Sequence, residues 1–319
     1  MSYPIGPKII CRVAVMGQLC IGQDNNGQPS VSGPFMNRNQ NTVMKKILAP
    51  TDFSDAAQNS ITYAVHLALQ SNAQLILFHA YHVSPLTVEI PVSDLSSDEV
   101  RNRSLASLEA TRADILFRYG ANFDVLCDCG CGFAVDVIHD YALENEVDLI
   151  VMGMQGGDYV TERLVGSTST ALMQDAPCPV LVIDKDVRFA EVRKMVLACD
   201  YVKIPSFDAF VQLREFAGLF GAPWIYVLNV MRRVTDGVSS KEAHSIQRIR
   251  EILRHTGHSV HTTENTDIVE GINHFSGQVG ADMVVMIPRR HSVWRDFFYS
   301  RLSKRMAFHI GVPLLILQP

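Results

Sequence analysis

The stretch Asp148-Leu149-Ile150-Val151-Met152-Gly153 decides the architecture. Its four central residues are apolar without alternation, so a strand made from them is buried on both faces. Strands of that kind belong to parallel sheets covered by helices on either side. The neighbouring sequence supplies the helices. Upstream, Lys46-Ile47-Leu48-Ala49-Pro50 predicts a first strand. Asp55-x-x-Gln58 then predicts the cap of a helix carrying Ile61, Ala64, Val65 and Ala68 on one face. Leu75-Ile76-Leu77-Phe78 follows Asn72 as a second strand, and a polar insert with Pro85 and Pro91 precedes a helix over 98–119. Phe123-Asp124-Val125-Leu126 begins a third strand, and 134–145 reads as a third helix. Downstream of Gly153, a glycine-bearing loop leads to a helix over 167–174, then to the strand Pro179-Val180-Leu181-Val182-Ile183.

The pattern then returns. Met195-Val196-Leu197-Ala198-Cys199-Asp200 echoes Ile47-Leu48-Ala49-Pro50-Thr51-Asp52, Trp224-Ile225-Tyr226-Val227-Leu228 matches the second strand, and 242–255 reads as a helix. Asp282-Met283-Val284-Val285-Met286 stands 134 positions after the opening stretch, and Pro313-Leu314-Leu315-Ile316-Leu317 stands 134 positions after Pro179. One offset held through an intervening loop and helix marks an internal duplication. The expected division is a leader over 1–43, a first α/β unit over 44–184 and a second over 193–319. The short charged join between them favours units that sit against each other.

Bulk composition limits the function. A net charge of −5 argues against a protein whose main task is to grip nucleic acid or anionic lipid. No apolar stretch approaches the roughly 20 residues that span a bilayer. The segment 9–21 is interrupted by Arg12 and lacks a clean cleavage site, so secretion is not expected. Seven cysteines without framework spacing fit reduced thiols in the cytoplasm. In the leader, Asp24-Asn25-Asn26-Gly27-Gln28-Pro29 and Asn37-Arg38-Asn39-Gln40-Asn41 are polar and aperiodic. Disorder is therefore expected over 1–43, as is a natural start at Met44.

The chemically informative feature is Gly153-Met154-Gln155-Gly156, nine residues, then Gly166-Ser167-Thr168-Ser169. The first glycine closes a parallel strand and the last opens a helix. A helix N-terminus offers backbone N–H groups and the positive end of a dipole, and so suits phosphate. The three hydroxyls add donors. The loop falls at the carboxyl ends of the strands, where open α/β sheets bind ligands. No G-x-x-x-x-G-K-[ST] is present, and no G-x-G-x-x-G follows the first strand. The spacing is instead G-x2-G-x9-G-S after the fourth strand.

That spacing, beside Ala49-Pro50-Thr51-Asp52-Phe53-Ser54, resembles the ATP-binding branch of the universal stress proteins. The resemblance extends over both repeats from Met44 onward. It implies two tandem doubly wound sheets of five parallel strands in the order 3-2-1-4-5, the adenine nucleotide alpha hydrolase-like arrangement. It further implies that Pro50, Thr51 and Asp52 border adenine and ribose. Gly153, Met154, Gly156, Gly166, Ser167 and Thr168 would surround ribose and phosphates. ATP, AMP or another adenine nucleotide is the implied ligand; Mg2+ beside the phosphates is compatible with it, though no dedicated carboxylate pair marks a magnesium site. Family members pair through their last strand, so the two repeats are expected to form a pseudo-dimer within the chain, with a further homodimer and an unknown protein partner left open. In the second repeat Gly153 becomes Ile287, Gly156 becomes Arg290, Gly166 becomes Ser300 and Ser167 becomes Arg301, while Asp200 survives. One nucleotide per chain is the expectation.

Three functions compete: a nucleotide-binding stress or regulatory protein, a slow ATPase or autophosphorylating enzyme using Ser167, Thr168 or Ser169, and an interaction module whose pocket is vestigial. No catalytic base or Walker lysine is evident for the second. Other features have a plain reading and a functional one. Cys127, Cys129 and Cys131 share one face of a strand, which suits a core strand better than a tetrahedral metal site. His79 and His82 either line the cleft or are satisfied structurally. The basic set Arg289, Arg290, His291, Arg295, Arg301, Lys304 and Arg305 is a solvated face or an anion site replacing the lost pocket.

Overall fold

The computed structural model describes residues 44–82, 97–154, 167–200, 207–231, 240–287 and 311–318. The leader 1–43, the insert with Pro85 and Pro91, Gly156, Gly166 and the basic set 289–305 lie outside the described residues. In the first half β1 (Lys46–Pro50), α1 (Asp55–Ser71), β2 (Gln74–Tyr81), α2 (Ser97–Tyr119), β3 (Val125–Cys131), α3 (Ala134–Glu144), β4 (Leu149–Gly153), α4 (Ser167–Asp175) and β5 (Val180–Ile183) alternate. The second half follows with β6 (Lys194–Ala198), α5 (Phe207–Gly218), β7 (Trp224–Met231), α6 (Ser240–Ile252), β8 (His258–Glu264), α7 (Ile268–Val279), β9 (Met283–Met286) and β10 (Leu314–Ile316).

The strands form one sheet in the order β3-β2-β1-β4-β5-β10-β9-β6-β7-β8. Read from either edge inward, each half has the order 3-2-1-4-5. Neighbours are parallel within each half, and the halves meet at one antiparallel pair, β5 with β10. Leu314, Leu315 and Ile316 lie opposite Val182, Leu181 and Val180. The two expected sheets are therefore fused edge to edge into a single ten-stranded sheet.

Alternation along the strands divides the core. Leu149 and Val151 point to a layer containing residues of α1, α2, α5 and α6, while Ile150 and Met152 point to one built from α3, α4 and α7. Both layers run through the seam: Leu181 and Leu315 belong to the first, Val182 and Leu314 to the second. Burying each such side chain contributes about 1.5–3 kcal/mol, so the seam is held as firmly by its two faces as by its ladder.

Small polar devices set the strand ends and occur twice. Asp148 Oδ2 accepts the backbone N–H groups of Lys45 at 2.7 Å and Lys46 at 2.9 Å, and Lys46 Nζ donates to the Asn145 carbonyl at 2.7 Å. In the second half Asp282 Oδ2 accepts from the N–H groups of Arg193 and Lys194, each at 2.9 Å. Lys194 Nζ donates to the Val279 carbonyl at 2.9 Å. The equivalent aspartate thus anchors the first strand of each half to its fourth. At α1 the cap differs from the sequence expectation. Ser54, not Asp55, is the N-cap, its Oγ accepting from the Ala57 N–H at 3.3 Å. Asp55 falls in the first turn, where its charge still suits the helix dipole.

The join between the halves is fastened to α1. Asn59 Nδ2 donates to the carbonyls of Asp184 and Val187, each at 2.8 Å. Phe189 stacks on His66 at 4.8 Å and meets Tyr63 edge-on at 4.9 Å. Among the described residues no helix is long and apolar enough to cross a membrane.

Removing one anchoring carboxylate removes two charge-assisted hydrogen bonds at the start of a core strand. Asp148→Ala is expected to destabilise the fold by about 1–3 kcal/mol, and Asp282→Ala by a similar amount. Urea unfolding followed by circular dichroism checks this, and unchanged midpoints in both variants would contradict it.

Candidate functional site

β1 and β4 are neighbours, but the chain leaves β1 toward β2 on one side and β4 toward β5 on the other. A crevice opens at the carboxyl ends of two strands whose connections diverge in this way. The described members of the predicted set stand there.

From β1, Pro50 closes the strand opposite Phe78 of β2. Thr51 is buried; its N–H donates to the Phe78 carbonyl at 2.8 Å and its Oγ1 accepts the Phe53 N–H at 2.9 Å. Asp52 is exposed, and its Oδ1 accepts the Ser54 N–H at 3.0 Å. Between them Phe53 is held at φ 66, a left-handed conformation that costs a bulky side chain energy. Its ring lies 4.7 Å from that of His79, whose Nδ1 donates to the Thr51 carbonyl at 2.7 Å. The turn is thus rigid, strained and tied to β2, and it leaves the Asp52 carboxylate pointing outward.

From β4, Gly153 ends the strand and Met154 is buried behind it, donating its N–H to the Ile183 carbonyl at 3.1 Å. A Cβ on Gly153 would come within 2.8 Å of the Ala56 carbonyl oxygen and 2.9 Å of its carbon. Glycine is required here because the first turn of α1 crosses the end of β4 without room for a methyl group. The requirement is one of packing, in addition to any ligand contact. At the start of α4, Ser169 is buried and its Oγ donates to the Gly153 carbonyl at 2.9 Å, which fixes the helix over the strand end. Ser167 is exposed and Thr168 half-buried at the helix N-terminus. Gly156 and Gly166, which complete the predicted set, lie outside the described residues.

A profile of the Universal stress protein family matches residues 44–184. A universal stress protein of Thermus aquaticus, encoded in the 3′ region of a QAH/OAS sulfhydrylase gene, is 32% identical over 142 residues. The match spans 44% of this chain and 99% of that protein. The chain belongs to the universal stress protein family. Universal stress protein MJ0531 of Methanocaldococcus jannaschii is 28% identical over 151 residues, covering 46% of this chain and 86% of that one. The crystal structure of a universal stress protein from Archaeoglobus fulgidus superposes with a TM-score of 0.62 at 17% identity, over 86% of this chain and 96% of its own. At that identity the likeness concerns the fold, and a share of 86% takes in more than either half.

In this universal stress protein the second half departs from the first at the matching place. Cys199 N–H donates to the Leu228 carbonyl at 2.9 Å, as Thr51 does to Phe78, and Asp200 follows. Where the first half has Gly153, the second has Ile287, 4% exposed and packed in the core. A side chain fills that strand end. The counterparts Arg290, Ser300 and Arg301 lie outside the described residues.

The cysteine row takes a different setting from the expected one. Cys127, Cys129 and Cys131 do share a face, but β3 is the outermost strand, and among the described residues α2 is the helix that covers that face. Cys127 and Cys129 are half-buried and Cys131 is exposed. Among the described residues no group of three or more His, Cys, Asp or Glu is placed to hold a metal ion. Burial, with the Glu109 charge nearby, pushes the Cys127 thiol up to about 12. His79 proves to be a structural tie of the β1 turn. His82 stacks on Phe133 with ring centroids 5.4 Å apart at 29°. Phe133 was not singled out by sequence reasoning, because a lone aromatic before a helix carries no motif.

Two outcomes follow. Gly153→Ala is expected to lower stability by about 1–3 kcal/mol through overpacking against α1, measured by thermal unfolding without nucleotide; an unchanged midpoint would refute the close approach. With iodoacetamide at pH 8, Cys131 is expected to label before Cys127, since alkylation needs the thiolate and the Cys127 thiol stays protonated far above that pH. Peptide mass spectrometry showing equal rates would contradict this.

Proposed function

We propose that the first half holds one adenine nucleotide, ATP or a related one such as AMP, as a regulatory ligand, and that the second half holds none. The observation that carries this reading is the convergence of two backbone features at one switch point. The strained Thr51-Asp52-Phe53 turn ends β1, and the α4 N-terminus is pinned over β4 by Ser169. An outward carboxylate at Asp52 suits ribose hydroxyls. The N-terminal N–H groups of α4, with the hydroxyls of Ser167 and Thr168, suit phosphate. These donors fit a triphosphate without a dedicated lysine, and Mg2+ would then reside mainly on the phosphate oxygens. Pro50, Gly153, Met154, Gly156 and Gly166 complete the proposed pocket.

Nothing among the described groups at this place pairs a nucleophile with a base, which favours a ligand that sets conformation or partner choice over one that is turned over. Loss of the glycine at Ile287 supports a single site per chain. The five described cysteines all stand as free thiols, which supports work in the reducing cytoplasm. There the protein would act in a stress or regulatory response through a protein partner.

Isothermal titration with ATP, on protein first stripped of co-purified nucleotide, tests the proposal beside Gly166→Asp. One site per chain, abolished in the variant, is expected. Two sites would overturn the single-pocket reading. Absence of binding, with no nucleotide released on stripping, would overturn the pocket altogether.

A further inference from the structure

We infer that Phe133, backed by His82, is the stacking platform for the base of the nucleotide, so that this pair makes the site selective for a nucleotide over a bare polyphosphate. The inference rests on the proposed nucleotide site and extends it to two residues outside the glycine motif. Phe133 occupies the N-cap of α3, where it provides no side-chain hydrogen bond to the helix. Ser, Thr, Asp or Asn would stabilise that position and phenylalanine does not. Its ring is also 71% exposed, so it contributes little to the core. A residue that serves neither the cap nor the core breaks the local rule in the way functional sites do.

The geometry aims the ring. Gly132, at φ 147, donates its N–H to the Tyr81 carbonyl at 2.9 Å, which locks the end of β3 to the end of β2. A Cβ on Gly132 would approach Val137 Cγ2 to 2.7 Å, so the chain turns tightly into α3 at this point. The turn delivers Phe133 beside His82, whose imidazole stacks on it at 5.4 Å. Both rings stand at the carboxyl edge of the sheet, the same edge as Asp52 and the α4 N-terminus. Across that edge the order is β4, β1, β2, β3. At about 4.8 Å per strand, the platform lies roughly 14 Å from the end of β4, within reach of an extended nucleoside triphosphate whose phosphates sit at α4. Helices α3 and α4 pack against each other on one face of the sheet, and each begins at the carboxyl end of the strand before it, so both N-termini stand at the same edge. Phosphate would be read at one end and an aromatic base at the other, with Asp52 between them.

Loss of base stacking on alanine substitution means that Phe133→Ala should weaken ATP by about 5- to 150-fold. The test is titration of the full-length, nucleotide-stripped protein with ATP and, separately, with inorganic triphosphate. Wild type, Phe133→Ala, Phe133→Trp and His82→Ala are compared, with thermal midpoints recorded for each. The expected pattern is weaker ATP binding in Phe133→Ala, unchanged triphosphate binding, retained ATP affinity in Phe133→Trp and an intermediate loss in His82→Ala. Wild-type ATP affinity in Phe133→Ala, or equal loss of ATP and triphosphate, would overturn the platform while leaving the nucleotide site standing. A wild-type protein that binds neither ligand would overturn the site and the platform together.

Discussion

Leu181 and Leu315 face each other across the antiparallel ladder that joins β5 to β10, and both are fully buried. A half ending at β5 alone would present an apolar strand with unpaired backbone groups on one side, an invitation to uncontrolled pairing. The duplicated half supplies the matching strand within the same chain. Apolar residues of both halves close over the seam on each face of the sheet, and the join threaded along α1 by Asn59 and Phe189 holds the halves in register. Stability of either half and geometry of the whole therefore depend on one short ladder.

The seam also decides where chemistry can occur. Because it is antiparallel, the carboxyl ends of the two sets of strands lie on opposite edges of the sheet. The crevice of the first half and its filled counterpart in the second therefore face different surroundings. Only the first retains a glycine where β4 meets the first turn of a helix. The second buries Ile287 there and keeps the fold.

Much of this was legible in the chain. Runs such as 149–152 and 180–183, apolar on both faces, announce parallel strands, and the spacing of the helices between them announces a doubly wound sheet. The glycine spacing marked Gly153 and the start of α4, and Thr51-Asp52 the turn after β1, which the fold brings to one edge of the sheet. Three elements were missed in the second half: α5, β8 and α7. The edge strand β8 reads His-Ser-Val-His-Thr-Thr-Glu, and because it is covered incompletely it needs no apolar run. The helix α7 is capped by Asp267 and Gly280, and its apolar face of Val269, Ile272 and Phe275 is interrupted by Gly271 and Gly277, which weakens its helical signal in the sequence. The cysteine row shares a face, and Cys127 and Cys129 pack against the core, but on an edge strand that leaves Cys131 exposed, because sequence shows which residues share a face, not whether the strand is central or outermost.

Sequence alone determined the class of fold, its recurrence in the second half and the place of the glycine loop after the fourth strand, since periodicity, offset and glycine spacing are properties of the chain read in order. Tertiary structure decided the rest. It set the antiparallel seam, the left-handed turn at Phe53, the need for glycine at 153 and the meeting of His82 with Phe133. Each of these depends on segments distant in the chain approaching within a few ångströms, and no local pattern records which neighbour will stand there.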